Sequence, residues 1–159
     1  MRCTIESLFL VEPIAPAAYG SRGNWGKIVD AGDSLTGVWQ GFYSYPRALA
    51  PVQFTATLIE SQSWLTGTTH EPMDVGPNKG ETIYATLSGS RDGMSVTFDK
   101  TYDGSGGRTH TIHYEGTLSE DGTEIEGRWI IRASWAGRFL MIRSGRTVPA
   151  EKVAALAKA

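Results

Sequence analysis

The chain has 159 residues, and its 15 Lys and Arg nearly balance its 17 Asp and Glu, giving a formal net charge of −2. Because no long run of basic residues is present either, the sequence argues against nucleic acid and against an anionic membrane as partners. The length fits one domain that buries a core without metals or disulfides, and Cys3, the single cysteine, allows no internal disulfide.

Residues 1–34 contain clusters of Pro and Gly and no sustained hydrophobic period. This pattern predicts an irregular N-terminal arm that is ordered only where something packs on it. The apolar stretch at 8–11 lies between Glu6 and Glu12 and is too short for a signal peptide. No stretch approaches the roughly 18 apolar residues of a membrane-spanning helix. We therefore expect a cytoplasmic protein.

Residues 35–144 form a series of β segments rich in Thr, Val, Ile, Tyr, Phe and Trp. Eight strands are predicted at 35–45, 52–60, 64–71, 81–90, 94–102, 109–119, 124–135 and 138–144, with turns at 92–93, 103–107, 121–122 and 136–137. Such short links favour a meander over crossed connections. Closing the meander on itself removes both exposed edges. The sequence therefore predicts an all-β domain, an eight-stranded antiparallel up-and-down β-barrel.

The tail, residues 145–159, has Pro149 and Glu151 where a first helical turn favours them, followed by an alanine-rich segment. This pattern predicts a short C-terminal helix. A helix of this length is marginal on its own, so it needs a surface on which to dock.

Period-two alternation gives each strand one inward-facing set of residues, and several sets mix large apolar residues with polar ones. The fifth strand, for example, sends Met94, Phe98, Lys100 and Tyr102 inward. A solid sandwich core would tolerate few such polar members, so we favour a barrel with a lined interior. The predicted lining residues are Tyr43, Tyr45, Phe54, Leu58, Phe98, Lys100, Tyr102, His110, Tyr114, Trp129 and Phe139.

The two ends of the strand series carry a recognisable pair of signals. Gly37-Val38-Trp39 begins the first strand and Arg143 ends the last, a combination that resembles the calycin superfamily of lipocalins, fatty-acid-binding proteins and avidins. In a closed barrel the first and last strands are neighbours, so Arg143 is expected over the indole of Trp39, a cation–π contact worth about 0.5–2 kcal/mol. Gly37, Trp39 and Arg143 would then form the floor of the barrel.

The resemblance also bears on the ligand. Leu65-Thr66-Gly67-Thr68 is similar to the third strand of avidins, but Thr69 and Glu71 stand where avidins place biotin-binding residues, so biotin is not expected. The resemblance implies the barrel shape and the binding of a small, largely apolar molecule.

Lys100, Tyr102 and His110 lie on adjacent predicted strands and should gather at one mouth of the barrel. There they could meet a ligand carboxylate or carbonyl. The alternative is that Lys100 and His110 are rim residues whose polar heads reach water.

No metal site and no catalytic residue are assigned. His110 and His113 are three residues apart on a strand, so they point to opposite faces and cannot easily ligate one ion. The neighbours His70 and Glu71 also point to opposite faces, so they cannot easily ligate one ion either. No nucleophile beside a base, no paired carboxylates and no phosphate-binding loop has a recognisable signature, so no cofactor is predicted.

Three functions follow as hypotheses. The first is a binding module that holds a small apolar or aromatic molecule with a polar head. The second is an enzyme on the same barrel, of isomerase, cyclase or lyase type, using Lys100, Tyr102 or His110 as acid or base. The third is a structural or assembly domain with a filled core, forming a homo-oligomer in which the N-terminal arm reaches another subunit.

Overall fold

The computed structural model describes residues 34–46, 50–73, 76–132 and 135–158. The predicted N-terminal arm therefore lies outside the described residues, apart from Ser34. The elements are β1 (Gly37–Tyr43), β2 (Val52–Ser61), β3 (Trp64–Pro72), β4 (Thr82–Asp92), β5 (Ser95–Tyr102), a 3-10 turn (Ser105–Gly107), β6 (Thr111–Leu118), β7 (Glu124–Arg132), β8 (Trp135–Arg143) and α1 (Ala150–Leu156).

The strands form a closed barrel in which each is antiparallel to the next in the chain. The ring is completed between the first and last strands, where Trp39 pairs with Arg143 and Tyr43 pairs with Phe139. The predicted eight-stranded antiparallel barrel is confirmed. Because closure leaves no unpaired sheet edge, every strand is satisfied by two neighbours.

Alternation along the strands decides which side chains fill the barrel. On β2, Phe54, Ala56 and Leu58 are buried, while Thr57 and Ile59 between and beyond them are exposed. The same period continues on the other strands, and it produces one continuous core cluster inside the ring.

Several details of the predicted strands are wrong. Trp135, predicted at the end of the seventh strand, begins β8, and the predicted start of the sixth strand at 109–110 precedes β6. Ala136 and Gly137, predicted as a turn, are paired within β8 opposite Ile130 and Trp129. Met94, predicted to face inward at the start of the fifth strand, precedes β5 and is exposed. In the last two cases a β-former beside a glycine could be assigned to strand or turn equally well, and the register with the neighbouring strands decides it.

The predicted C-terminal helix is confirmed as α1. Its Leu156 packs against Leu140 and Ile142, on the outer face of β8. This explains why β8 is buried on both faces, whereas alternation alone predicts only Phe139 and Met141 inside. At seven residues α1 cannot cross a bilayer, and no other helix in the described ranges is long and apolar enough to do so.

The floor of the barrel has the predicted form. Trp39 is completely buried, and its indole N–H donates to the Leu35 carbonyl at 2.9 Å. The Arg143 guanidinium lies 4.6 Å from the Trp39 ring, and it donates to the Ser34 carbonyl at 2.6 Å. Gly37 has a φ of 145°, and a Cβ there would come within 3.4 Å of the guanidinium. A side chain at this position would therefore be strained and would crowd the arginine.

Candidate functional site

Three polar side chains meet inside the barrel, in the half opposite the floor. The Lys100 ammonium donates to one oxygen of Glu71 at 3.0 Å, and the Tyr102 hydroxyl donates to the other at 2.6 Å. Lys100 and Glu71 are each 1% exposed. We call these three residues the buried triad.

The strand pattern explains how the buried triad forms. On β3 every second residue from Leu65 faces inward, and this series ends at Glu71. Tyr102 lies two strands away on β5, and Ala85 on the intervening β4 stands in register with both Thr69 and Tyr102. Because Ala85 carries only a methyl group, long polar side chains from β3 and β5 can meet across β4.

Burial and the Glu71 charge determine the electrostatics of the triad. Burial lowers the pKa of Lys100, and the Glu71 carboxylate opposes that shift. Burial raises the pKa of Tyr102 and of Tyr43, and the Glu71 charge raises both further. The phenols therefore remain protonated, which makes Tyr102 the donor in its bond to Glu71. The ammonium also lies 5.5, 5.2 and 4.7 Å from the rings of Tyr43, Phe54 and Tyr102, an aromatic enclosure for its charge.

One polar atom beside the triad has no partner. Thr69, in register with Ala56 and Ala85 on its two neighbouring strands, is buried, and its hydroxyl makes no hydrogen bond. A buried hydroxyl without a partner costs about 1–3 kcal/mol. This part of the interior is therefore more polar than the fold alone requires.

Aromatic side chains converge at the end of the barrel opposite the floor, which we call the mouth. The Tyr45 ring lies 5.4 Å from Tyr43 and 5.7 Å from Trp129, both edge to face, and 6.2 Å from Trp135. The indole N–H of Trp129 donates to the Ser44 carbonyl at 3.0 Å and fixes that ring. Tyr45 is half-buried and Trp135 is exposed, so the cluster reaches the surface.

The mouth holds a shallow depression of about 10 Å³, which is room for about one water molecule. It is lined by Tyr43, Tyr45, His110, Ile112, Tyr114, Trp129 and Ile131. Deeper in the barrel, Phe98 stacks on Tyr114 at 4.8 Å and Phe139 meets Tyr114 at 5.0 Å. Phe98, Tyr114 and Phe139 thus pack against one another inside the barrel.

The sequence predicted that Lys100, Tyr102 and His110 gather at the mouth. Lys100 and Tyr102 lie together in the buried triad, so the alternative that the Lys100 head reaches water is wrong. His110 precedes β6 and is exposed at the rim, with its ring 5.0 Å from that of Tyr102. Burial lowers the pKa of His110, and the charges of Arg108 and Lys100 lower it further.

A cation that sequence reasoning missed lies beside His110. Arg108 belongs to the loop between β5 and β6, and its guanidinium carbon is 5.8 Å from the Tyr102 ring. No carboxylate among the described residues forms an ion pair with it. Burial opposes its charge, but the nearby side chains of Tyr45, Tyr102 and Tyr43 outweigh burial and raise the pKa of Arg108.

Comparison with known proteins adds nothing to this geometry. No family model, curated protein or solved structure matches the chain. In the described ranges no three His, Cys, Asp or Glu side chains gather in a way that could hold a metal ion.

An open groove also lies on the outer wall of the barrel, on the outside of β5–β8. This open groove has a volume of about 710 Å³ and is lined by Ser95, Thr97, Glu115, Gly116, Thr117, Glu126, Gly127, Arg128 and Arg138. Within this groove, Arg128 donates a hydrogen bond to Glu115 at 2.9 Å, so these two opposite charges already pair with each other.

Sequence reasoning also missed Glu71 as an interior residue. Counting every second residue from Leu65 on β3 would have found it, because the period is unbroken. Arg108 gave no such signal, since it lies in a loop whose direction is set by the 3-10 turn before it.

Proposed function

We propose that this barrel binds a small aromatic or apolar molecule with a polar head, and that the ligand sits at the mouth. The aromatic cluster around Tyr45 carries this proposal. It joins rings that are fixed in the wall, such as Trp129, to rings that are partly open to solvent, such as Trp135. Aromatic side chains with few, well-placed polar groups are typical of small-molecule sites.

The small size of the depression at the mouth determines how such a ligand would enter. Because the depression is about 10 Å³, a ring can lodge only against the surface of the cluster or after Tyr45 turns aside. Tyr45 is half-buried and follows the last residue of β1, so it is the ring that can move with least disturbance of the core. The calycin resemblance, the closed barrel and the floor contact are all compatible with this proposal.

A thermal-shift screen of small aromatic compounds, combined with native mass spectrometry of the purified protein, tests the proposal. A ligand at a hundred times its dissociation constant adds about 2.7 kcal/mol of stability. For a chain of this size this raises the melting temperature by about 5–11 °C. Tyr45→Ser should abolish the shift, and Tyr84→Ser, which removes an exposed tyrosine from the outer wall, should keep it. A shift that survives Tyr45→Ser would refute a site at the mouth.

The outer face of β2–β4 favours a second candidate, a homo-oligomer. The central part of this face includes no Asp, Glu, Lys or Arg, and the charged Asp92 lies at the end of β4; the central outward residues are Thr55, Thr57, Ile59, Trp64, Thr66, Thr68, His70, Tyr84, Thr86 and Ser88. Trp64 is 68% exposed. Charged residues are depleted at interface cores, and a face without charges does not repel a second copy of itself.

Light scattering after size-exclusion chromatography tests this second candidate. Trp64→Glu should convert an oligomer to a monomer, whereas Met94→Glu, which places the same charge on an exposed residue of the β4–β5 hairpin, should not. A monomeric parent protein would refute it. Acid–base chemistry on the same barrel stays a prediction.

A further inference from the structure

Arg108 is a cation at the rim of an aromatic site, and no carboxylate in the part of the chain that the structure describes forms an ion pair with it. Its neighbours across the mouth are phenols, of which Tyr102 lies under the guanidinium and Tyr45 is close enough to raise its pKa. The acidic residue of the same loop, Asp103, accepts instead from the backbone N–H of Ser105 at 2.9 Å. An arginine fork offers five N–H donors that match a carboxylate, sulfonate or phosphate.

Lys100 and His110, the basic groups that the sequence placed at the mouth, cannot take this role. Lys100 is neutralised by Glu71 at 3.0 Å and is 1% exposed, so its charge is already matched inside the barrel. His110 is uncharged at neutral pH, since its pKa lies below the ordinary value for histidine. Among the described residues, Arg108 is then the charged cation that lies against the ring of Tyr102.

We infer that the molecule bound at the mouth is a small aromatic anion, whose charged group pairs with Arg108 and whose ring packs on Tyr45. This inference rests on the proposed function and names its ligand class. It also moves the polar head of the ligand away from the interior lysine, where the sequence placed it, to a loop residue at the surface. The ligand then lies across the mouth.

A matched pair of fluorescent probes separates the aromatic contribution from the charge. 8-Anilinonaphthalene-1-sulfonate carries a sulfonate, and N-phenyl-1-naphthylamine has the same rings without it. The native protein should bind the sulfonate at least about tenfold more tightly than the neutral amine, because charge-assisted hydrogen bonds to arginine are strong. Raising the salt concentration should weaken binding of the sulfonate and leave the neutral amine unchanged.

Variants of the arginine locate the effect. Arg108→Gln should weaken the sulfonate about tenfold or more and leave the neutral probe unaffected, and Arg108→Lys should recover part of the loss because it keeps the charge without the fork. Arg128→Gln is the matched control, since it removes an exposed arginine from the outer wall and should change neither affinity. Circular dichroism shows whether each variant is folded.

The outcomes distinguish the two proposals. If both probes bind equally, or if Arg108→Gln and Arg108→Lys leave the sulfonate affinity unchanged, the mouth binds aromatics but the anion assignment is overturned. If neither probe binds, or if Tyr45→Ser leaves both affinities unchanged, the proposed site at the mouth itself is overturned. If Arg108→Gln loses binding of the sulfonate but keeps binding of the neutral amine, the result supports both the site at the mouth and the anionic ligand.

Discussion

Replacing Lys100 by methionine removes the cationic partner of a buried carboxylate and keeps nearly the same side-chain volume. Glu71 would retain its bond from Tyr102 at 2.6 Å but would lose the ammonium at 3.0 Å, at a position that is 1% exposed. An uncompensated buried charge of this kind costs about 3–5 kcal/mol. This is a large share of the roughly 5–15 kcal/mol by which a domain is stable.

Urea denaturation measures this loss, and a melting curve should show a fall of about 6–20 °C. The matched control is Lys152→Met, which breaks the ion pair with Glu124 on the surface and should cost no more than about 1 kcal/mol. The double variant Lys100→Met/Glu71→Gln should recover much of the stability, because it removes both charges together. Such recovery would give a coupling energy of about 1–3 kcal/mol.

Two results would refute this reasoning. One is a Lys100→Met variant that loses no more stability than Lys152→Met. The other is a double variant that is destabilised by the sum of its two single changes. Either would mean that Lys100 and Glu71 do not depend on each other inside the barrel. The expected instability also means that Lys100→Met alone cannot separate a binding protein from an enzyme, since it alters folding as well as the site.

Three further predictions test other parts of the barrel. Arg143→Lys should lower the free energy of unfolding by about 1–2 kcal/mol in urea titrations. The reason is that lysine lacks the planar guanidinium that both covers Trp39 and reaches the backbone. An unchanged midpoint of the urea transition would contradict the floor contact. Thr69→Val should raise the free energy of unfolding by about 1 kcal/mol, because it removes a buried hydroxyl without a partner at little change in volume, and a loss of stability would show that the hydroxyl is satisfied. The pKa of His110, followed by NMR, should lie below the ordinary value of about 6.5 because of burial and the nearby charges. Arg108→Gln should raise this pKa only in part, since burial is the larger cause. An unchanged pKa in Arg108→Gln would show that the guanidinium is too far from His110 to affect it.

The sequence by itself determined the barrel and its floor. Over 35–144 the sequence shows strand alternation, short turns and no helical segment, and closing such a meander removes its exposed edges. Trp39 and Arg143 meet because closure makes the first and last strands neighbours. These features follow from local periodicity and chain order, which a sequence carries directly.

Only the tertiary structure decided what the interior and the mouth contain. Glu71 and Lys100 are 29 residues apart, and they meet because β3 and β5 flank β4, where the small Ala85 leaves room for side chains from both neighbours. Arg108 lies over Tyr102 because a loop turns back toward the barrel, a direction that no hydrophobic period encodes. Whether the ring is hollow or full depends on how side chains from all the strands share one volume, and that is a property of packing between distant residues.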